Sequence, residues 1–224
     1  VENFFQVKNC DVKISGLLTC AGKSERLGSP KPLLIYRGLP FCVLILAKMN
    51  LICERIVVVL GHKADEVRNE LEKYILNTNK LKQELRDSSL IDHISEMSCK
   101  VEIVINENYE LGMFSSLQCG IEKLSGSDWA LYHFTDQPTL PFSFYLNLIR
   151  QLDDQFDWIQ PRFNKQNGHP ILLNHRLFQK IIFSPRNSDL RKLTSFKSCK
   201  KKYWDSPYPQ VLDDIDTPKD FFSI

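Results

Sequence analysis

The stretch from Leu17 to Leu34, LLTCAGKSERLGSPKPLL, constrains the fold more than any other. The apolar residues Ile14, Leu17 and Leu18 read as a short buried strand. That strand breaks into small and charged residues: Cys20, Ala21, Gly22, Lys23, Ser24, Arg26, Gly28 and Lys31. Glycines let the backbone turn tightly and approach a ligand closely. Successive N–H groups in such a turn form a concavity that binds anions. Arg26 and Lys31 add fixed positive charge suited to phosphate oxygens. The stretch therefore reads as a nucleotide-phosphate site or as an ordinary strand–loop connection with surface charges.

It is not a Walker A loop, which needs glycine, four residues, then Gly-Lys-Ser or Gly-Lys-Thr. Gly22-Lys23-Ser24 is present, but the position five before Gly22 is Leu17. There is no GxGxxG pattern for a dinucleotide either.

The first 150 residues alternate strand and helix patterns, which predicts an α/β fold on a mainly parallel sheet. Phe41 to Met49 is strongly apolar and reads as a buried helix or a strand. Arg55 to Leu60 is a β-branched buried strand. Ala64, Val67, Leu71, Tyr74 and Ile75 recur at helical spacing. Residues 77 to 97 are polar with weak helical periodicity and read as a helical excursion on the surface. Lys100 to Ile105 and Trp129 to Phe134 read as strands, and Met113 to Leu124 as a helix with Met113, Leu117, Ile121 and Leu124 inward.

From Asp157 the rhythm changes. Trp158 to Pro161 and His169 to Leu173 read as short strands, as do Lys201 to Trp204 and Val211-Leu212. A last helix opens at Asp216-Thr217-Pro218. No linker marks a boundary, so residues 1–224 are expected to form a single domain, with a nucleotide-binding half near 14–150 and an acceptor-binding half near 151–224.

Charge narrows the partners. With 29 basic and 27 acidic residues the net charge is +2, which does not suit a nucleic-acid binder. The lysines at 197, 200, 201 and 202 read as a solvated face. The 7 cysteines form no CxxC and suit neither a disulfide framework nor a zinc site. Reduced thiols in a cytoplasmic protein are the simple reading. No run is long enough to be a transmembrane helix, and the first residues do not read as a signal peptide.

Candidate ligand groups fall at strand ends, where open α/β sheets bind ligands: the basic loop, Asn106, Asp136, and Asp214 or Asp216. Two basic side chains with two carboxylates suit a nucleoside triphosphate with magnesium. Taken alone, Asp136 before Gln137-Pro138 reads as a turn residue ahead of a ligand, and Asp216 as a ligand or a helix cap. Ser115 and Ser116 lie in a first helical turn, where free N–H groups favour anions.

The chain resembles the MobA-like nucleotidyltransferases, most closely the branch containing molybdenum cofactor cytidylyltransferases. The first loop is similar to LAAGxSxRMGxxKxLL, with Ser24, Arg26, Gly28, Lys31, Leu33 and Leu34 matching, while Thr19 and Cys20 depart from it. Asp136-Gln137-Pro138, Gly168-His169-Pro170 and the segment LDDIDTPKDF resemble further motifs of the family in its order. Asn106 with Gly112-Met113-Phe114-Ser115-Ser116-Leu117 resembles its N…GMxxSL segment.

The resemblance implies a three-layer Rossmann-like fold with a mainly parallel, mixed sheet. It implies a magnesium-dependent enzyme that transfers CMP from CTP to a phosphate-bearing acceptor, molybdopterin or its molybdenum-loaded form. It places Lys31, Arg26 and Asp136 in catalysis. Thr19, Cys20, Ala21, Gly22, Ser24, Arg26, Lys31, Asn106, Gly112, Ser115 and Ser116 are placed on the nucleotide. Asp136 and Asp216, or alternatively Asp214, are placed on Mg2+, and Gly168, His169 and Pro170 on the acceptor. The alternatives are another acceptor such as a sugar or polyol phosphate, GTP as donor, or a non-catalytic nucleotide-binding module acting as chaperone for a molybdenum enzyme. Neither nucleic acid nor membrane is an expected partner.

Overall fold

The structure, a computed structural model, describes residues 12–85, 91, 94, 97, 100–196 and 198–222. Expectations for the first residues and for much of 86–99 fall outside the described residues. The described strands are β1 (Ile14–Cys20), β2 (Ile35–Tyr36), β3 (Leu39–Pro40), β4 (Arg55–Leu60), β5 (Val101–Ile105), β6 (Trp129–Phe134), β7 (Trp158–Phe163), β8 (Gln166–Asn167), β9 (Ile171–Asn174) and β10 (Lys201–Asp205). The longer helices are α1 (Phe41–Asn50), α2 (Ala64–Ile75), α3 (Thr78–Glu84), α4 (Met113–Ile121) and α5 (Phe142–Ile149).

One sheet runs in the order β10-β7-β9-β6-β1-β4-β5, with β8 paired to β7. The neighbours β5, β4, β1 and β6 are parallel. Only β8 and β9 run against them, because β9 is antiparallel to both β6 and β7. The sheet is therefore mixed and mostly parallel, as the alternating pattern predicts.

Strands covered on both faces carry apolar residues at successive positions. Leu18, Ile56 and Val58 point to one face and pack with α1, α2 and α5. Leu17, Val57 and Val59 point to the other and pack with Phe114, Leu117 and Ile121 of α4. Each such buried aliphatic side chain contributes about 1.5–3 kcal/mol. The two faces together give a helix–sheet–helix sandwich. Every residue of α1 is buried, which explains its lack of helical amphipathicity and settles its strand-or-helix ambiguity.

Three local expectations are corrected. Met113 is 73% exposed rather than inward, because α4 begins there and its first turn overhangs a cleft. Val211-Leu212 belongs to a 3-10 turn, Pro209–Leu212, not a strand. The excursion after residue 77 is more than surface: Leu81, Leu85, Ile94 and Met97 are buried and extend the core on the α1 face.

The chain order positions the site. From β1 the sheet grows to one side through β4 and β5, then the chain crosses back to set β6 on β1's other edge. Loops leaving β1 and β6 therefore diverge, opening a crevice at their carboxyl ends.

Candidate active site

The loop after β1 is shaped by its own polar contacts. Ser24 has a left-handed conformation at φ 51°, and Gly28 another at φ 70°. Ser24 Oγ accepts the Lys31 N–H at 3.0 Å, closing the loop and fixing where Lys31 begins its 3-10 turn.

The loop after β6 is held from two sides. Lys48 of α1, 6% exposed, donates through Nζ to Pro138 O and Leu140 O at 2.7 Å each. From the opposite side, Gln137 Nε2 donates to Val211 O at 2.7 Å, and the Ile215 N–H donates to Asp136 O at 3.3 Å. Asp136 is thus fixed on α1's side while the C-terminal segment bearing Asp214 and Asp216 is drawn against it.

These loops enclose a cleft of about 690 Å³ whose walls include Arg26, Lys31, Asp136, Asp214 and Asp216. Lys31 Nζ donates to Asp216 Oδ1 at 2.5 Å, and the Arg26 guanidinium donates to Asp216 Oδ2. The hydrogen bond from Lys31 holds the Asp216 carboxyl below its usual range, with further help from Arg26. Asp214 is pushed up, by burial first and then by the Asp216 charge. Asp136 is pushed up to about 7, chiefly by burial, with Asp214 and Asp216 adding to it and Lys31 opposing.

Asp136 Oδ1 is buried without a hydrogen-bond partner. A buried carboxylate oxygen left unpaired beside two more carboxylates has the chemistry of a position completed by a cation. Among the described residues, no group of three or more His, Cys, Asp or Glu side chains is arranged to hold a metal by itself. Magnesium bound together with phosphates needs only one or two carboxylates, the rest of its sphere being phosphate oxygens and water. The residues fit that ion.

Of the expected nucleotide residues, Thr19, Ala21, Gly22, Ser24, Gly112 and Ser116 also line this cleft. Gly112 has φ 102°, a conformation a side chain would strain, and it turns the chain into α4 at the cleft wall. Cys20 is placed differently: strand alternation turns its side chain into the core, 1% exposed, and burial raises its thiol pKa. Only its backbone can face the cleft.

Asn106 and Ser115 also point elsewhere. Asn106 is 3% exposed; its Nδ2 donates to Ser115 Oγ at 2.9 Å and Ser116 Oγ at 3.0 Å. Its Oδ1 accepts the Asn108 N–H at 3.0 Å. Ser115 Oγ lies 2.8 Å from Gly112 O and 2.9 Å from Asn108 O, within reach as a donor to either. These side chains clamp the 106–116 turn from behind, while Ser116 also reaches the cleft wall.

A second cleft of about 580 Å³ shares Gly112, Met113 and Phe134 with the first. It contains His169, Trp158, Gln160, Arg191, Lys201 and Tyr203. His169 packs edge-on against Phe134, ring centroids 4.8 Å apart. Burial, with a smaller effect from Arg191, pushes its imidazole down to about 4, so it is neutral at pH 7. The other two residues of Gly-His-Pro do not line this cleft. Gly168 is pressed against the 209–212 turn, where a Cβ would lie 2.4 Å from Val211 O. Pro170 is buried immediately before β9, and its peptide bond with His169 is cis.

Sequence reasoning misses Phe134, the partition between the clefts, and Lys201, which in sequence reads as part of a solvated face. Lys201 lies 4.7 Å from the Trp158 ring centroid. The signal was available: Lys201 and Tyr203, like Trp158 and Gln160, are two apart on neighbouring strands and so share a face.

The MobA-like NTP transferase domain family matches residues 16–201 of this chain. The molybdenum cofactor cytidylyltransferase of Escherichia coli is 23% identical over 210 residues, covering 94% of each protein. A protein of Bacillus cereus named a probable molybdenum cofactor guanylyltransferase is 20% identical over 193 residues, 85% of this chain and 83% of that one. Among solved structures, Rv0371c from Mycobacterium tuberculosis superposes with a TM-score of 0.70 at 19% identity, over 95% of this chain and 97% of that one, a likeness of fold.

Proposed function

Since the chain belongs to the MobA-like NTP transferase family and is a nucleotidyltransferase, we propose that it transfers CMP from CTP to the terminal phosphate of molybdopterin or its molybdenum-loaded form. The observation that carries this reading is the meeting of Arg26, Lys31, Asp136, Asp214 and Asp216 in one cleft, beside a second cleft across Phe134. A triphosphate in the first and an acceptor in the second would meet at that partition.

A phosphate monoester is largely ionised at neutral pH, so attack by its oxygen on the α-phosphorus of CTP needs no strong general base. The new P–O bond forms as the bond to the bridging oxygen breaks, and pyrophosphate leaves with that electron pair. The protein's task is alignment and charge neutralisation. Lys31 and Arg26 offset charge on the triphosphate and the departing pyrophosphate. The Ala21-Gly22 backbone lies close to base and phosphates. Asp136 and Asp216, or Asp214 in its place, would hold magnesium, which when bound would supply polarisation of the phosphoryl oxygens. His169, neutral, offers hydrogen bonding to the acceptor without adding charge.

The choice of cytosine is supported by Ala21, where the guanylyl branch carries glycine, and by the likeness to the cytidylyltransferase relative. The test is pyrophosphate release with magnesium and each of CTP, GTP and ATP, with and without molybdopterin. Release confined to CTP plus molybdopterin supports the proposal. Nucleotide binding with no release in any combination would favour a non-catalytic module.

A further inference from the structure

Asp216 has two assignments that cannot hold at once. Its carboxylate is proposed as a metal ligand, yet one oxygen accepts from Lys31 and the other from Arg26. Those two cations are the ones proposed to bind the triphosphate. The single carboxylate is shared by the two cations and offsets one of their two positive charges, inside the cleft where the phosphates would lie.

The arrangement is built rather than incidental. Lys31's side chain is 12% exposed and that of Asp216 33%, so the pair is partly shielded from water. Asp216 is held at its base on both sides. The preceding residue, Ile215, is 2% exposed and tied to Asp136 O. On the other side, Asp220 Oδ2 accepts from the Asp216 N–H at 3.2 Å and the Thr217 N–H at 2.8 Å. Phe221 then packs on Phe41 at 5.9 Å between ring centroids. The backbone is anchored, and the carboxylate is left to choose between the cations of the first loop and whatever lies beside Asp136 and Asp214.

Resting on the reading of the cleft as a metal–triphosphate site, we propose that Asp216 is an internal competitor for Lys31 and Arg26, a latch that keeps free triphosphate out until a divalent cation draws its carboxylate away. Metal and triphosphate binding are then coupled through one side chain. Triphosphate alone must displace a carboxylate from two cations. With the metal present, Asp216 turns to it, and Lys31 and Arg26 are released to the phosphates. Coupling of this kind is reciprocal: triphosphate must raise metal affinity by the same factor. Among the described residues, the ion pairs of Lys31 and Arg26 in this cleft go to Asp216 and not to Asp214, so Asp214 does not serve this role.

The test is equilibrium binding of CTP to the full chain in EDTA and in excess magnesium, for wild type and Asp216→Asn, with thermal melting as a check of folding. Asn keeps the shape and removes the competing charge. In EDTA, the variant is expected to bind CTP roughly tenfold more tightly than wild type, the equivalent of one modest ion pair no longer opposing binding. Magnesium should strengthen CTP binding less in the variant than in wild type. In the Arg26→Ala background, where Asp216 has one cation fewer to mask, the gain from Asp216→Asn in EDTA should shrink.

Weaker or unchanged metal-free binding by Asp216→Asn, with wild type still binding CTP in magnesium, would overturn the latch and make Asp216 a residue that positions Lys31. No CTP binding by wild type in either buffer would instead overturn the functional reading on which the latch rests.

Discussion

Lys31 and Asp216 are 185 residues apart in the chain, and their side chains meet at 2.5 Å. The contact joins the loop after the first strand to the segment before the last helix. It does so across a cleft whose other charged lining residues are Lys23, Arg26, Asp136 and Asp214. Ser24 fixes the start of the Lys31 turn, and Asp136 O anchors Ile215 beside Asp216. Both ends of the pair are thus positioned by the fold itself.

Replacing Lys31 by alanine should therefore act on chemistry far more than on folding. Asp216 keeps Arg26, and a partly exposed pair contributes only about 0–1 kcal/mol to stability. Removing a preorganised cation from a site of developing charge costs roughly 100- to 1,000-fold in turnover. Steady-state pyrophosphate release and a melting curve on the same sample check this. Turnover within about threefold of wild type would take Lys31 out of the mechanism.

Asn106 should show the opposite pattern. Its side-chain bonds to Ser115, Ser116 and the Asn108 N–H are all inside the protein. Asn106→Ala leaves buried groups unpaired, each at about 1–3 kcal/mol. Urea unfolding should show a loss of roughly that size or somewhat more. Unchanged stability with lost CTP affinity would return Asn106 to the nucleotide.

Acid should weaken the fold through His133. This imidazole is 0% exposed; one ring nitrogen lies 2.8 Å from Tyr145 Oη and the other 2.6 Å from Phe134 O. Burial is the main cause that pushes it down to about 3. In the unfolded chain it protonates near 6.5. Its contribution is fully present above that value and is lost as pH falls toward 3, with a slope approaching about 1.4 kcal/mol per pH unit. His169, pushed down to about 4, acts in the same direction, and Asp136, pushed up to about 7, acts against both. Comparing wild type with His133→Gln isolates the first. Unfolding free energies from pH 6.5 to 4 should fall less steeply in the variant, and equal slopes would contradict the assignment.

Much of the fold was legible because buried parallel strands have a simple signature. RIVVVL and WALYHF are apolar on both faces and are found at β4 and β6. The convergence of the first loop with Asp136 follows from a general rule about strand ends, so the main cleft was legible too. What escaped depends on contacts between distant segments. Cys20 and Thr19 are adjacent in one motif, but strand alternation sends them to opposite faces. Asn106 and Ser115 occupy motif positions, yet their polar atoms are used up holding a turn. Met113 fits a helical stripe, but the stripe begins where the helix leaves its support. Lys201 belongs to a run of lysines, and only the pairing of β10 with β7 sets it over Trp158. None of these depends on local sequence alone.

Whether Asp136 holds the metal for transfer is decided by pyrophosphate release from CTP and molybdopterin by wild type and Asp136→Asn, with far-ultraviolet circular dichroism on both. Asn keeps the shape of a side chain whose buried oxygen has no partner, and it removes the charge that would hold a divalent cation. The variant is expected to fold, with turnover reduced by at least about 1,000-fold. A folded Asp136→Asn protein that turns over CTP at the wild-type rate would contradict that role.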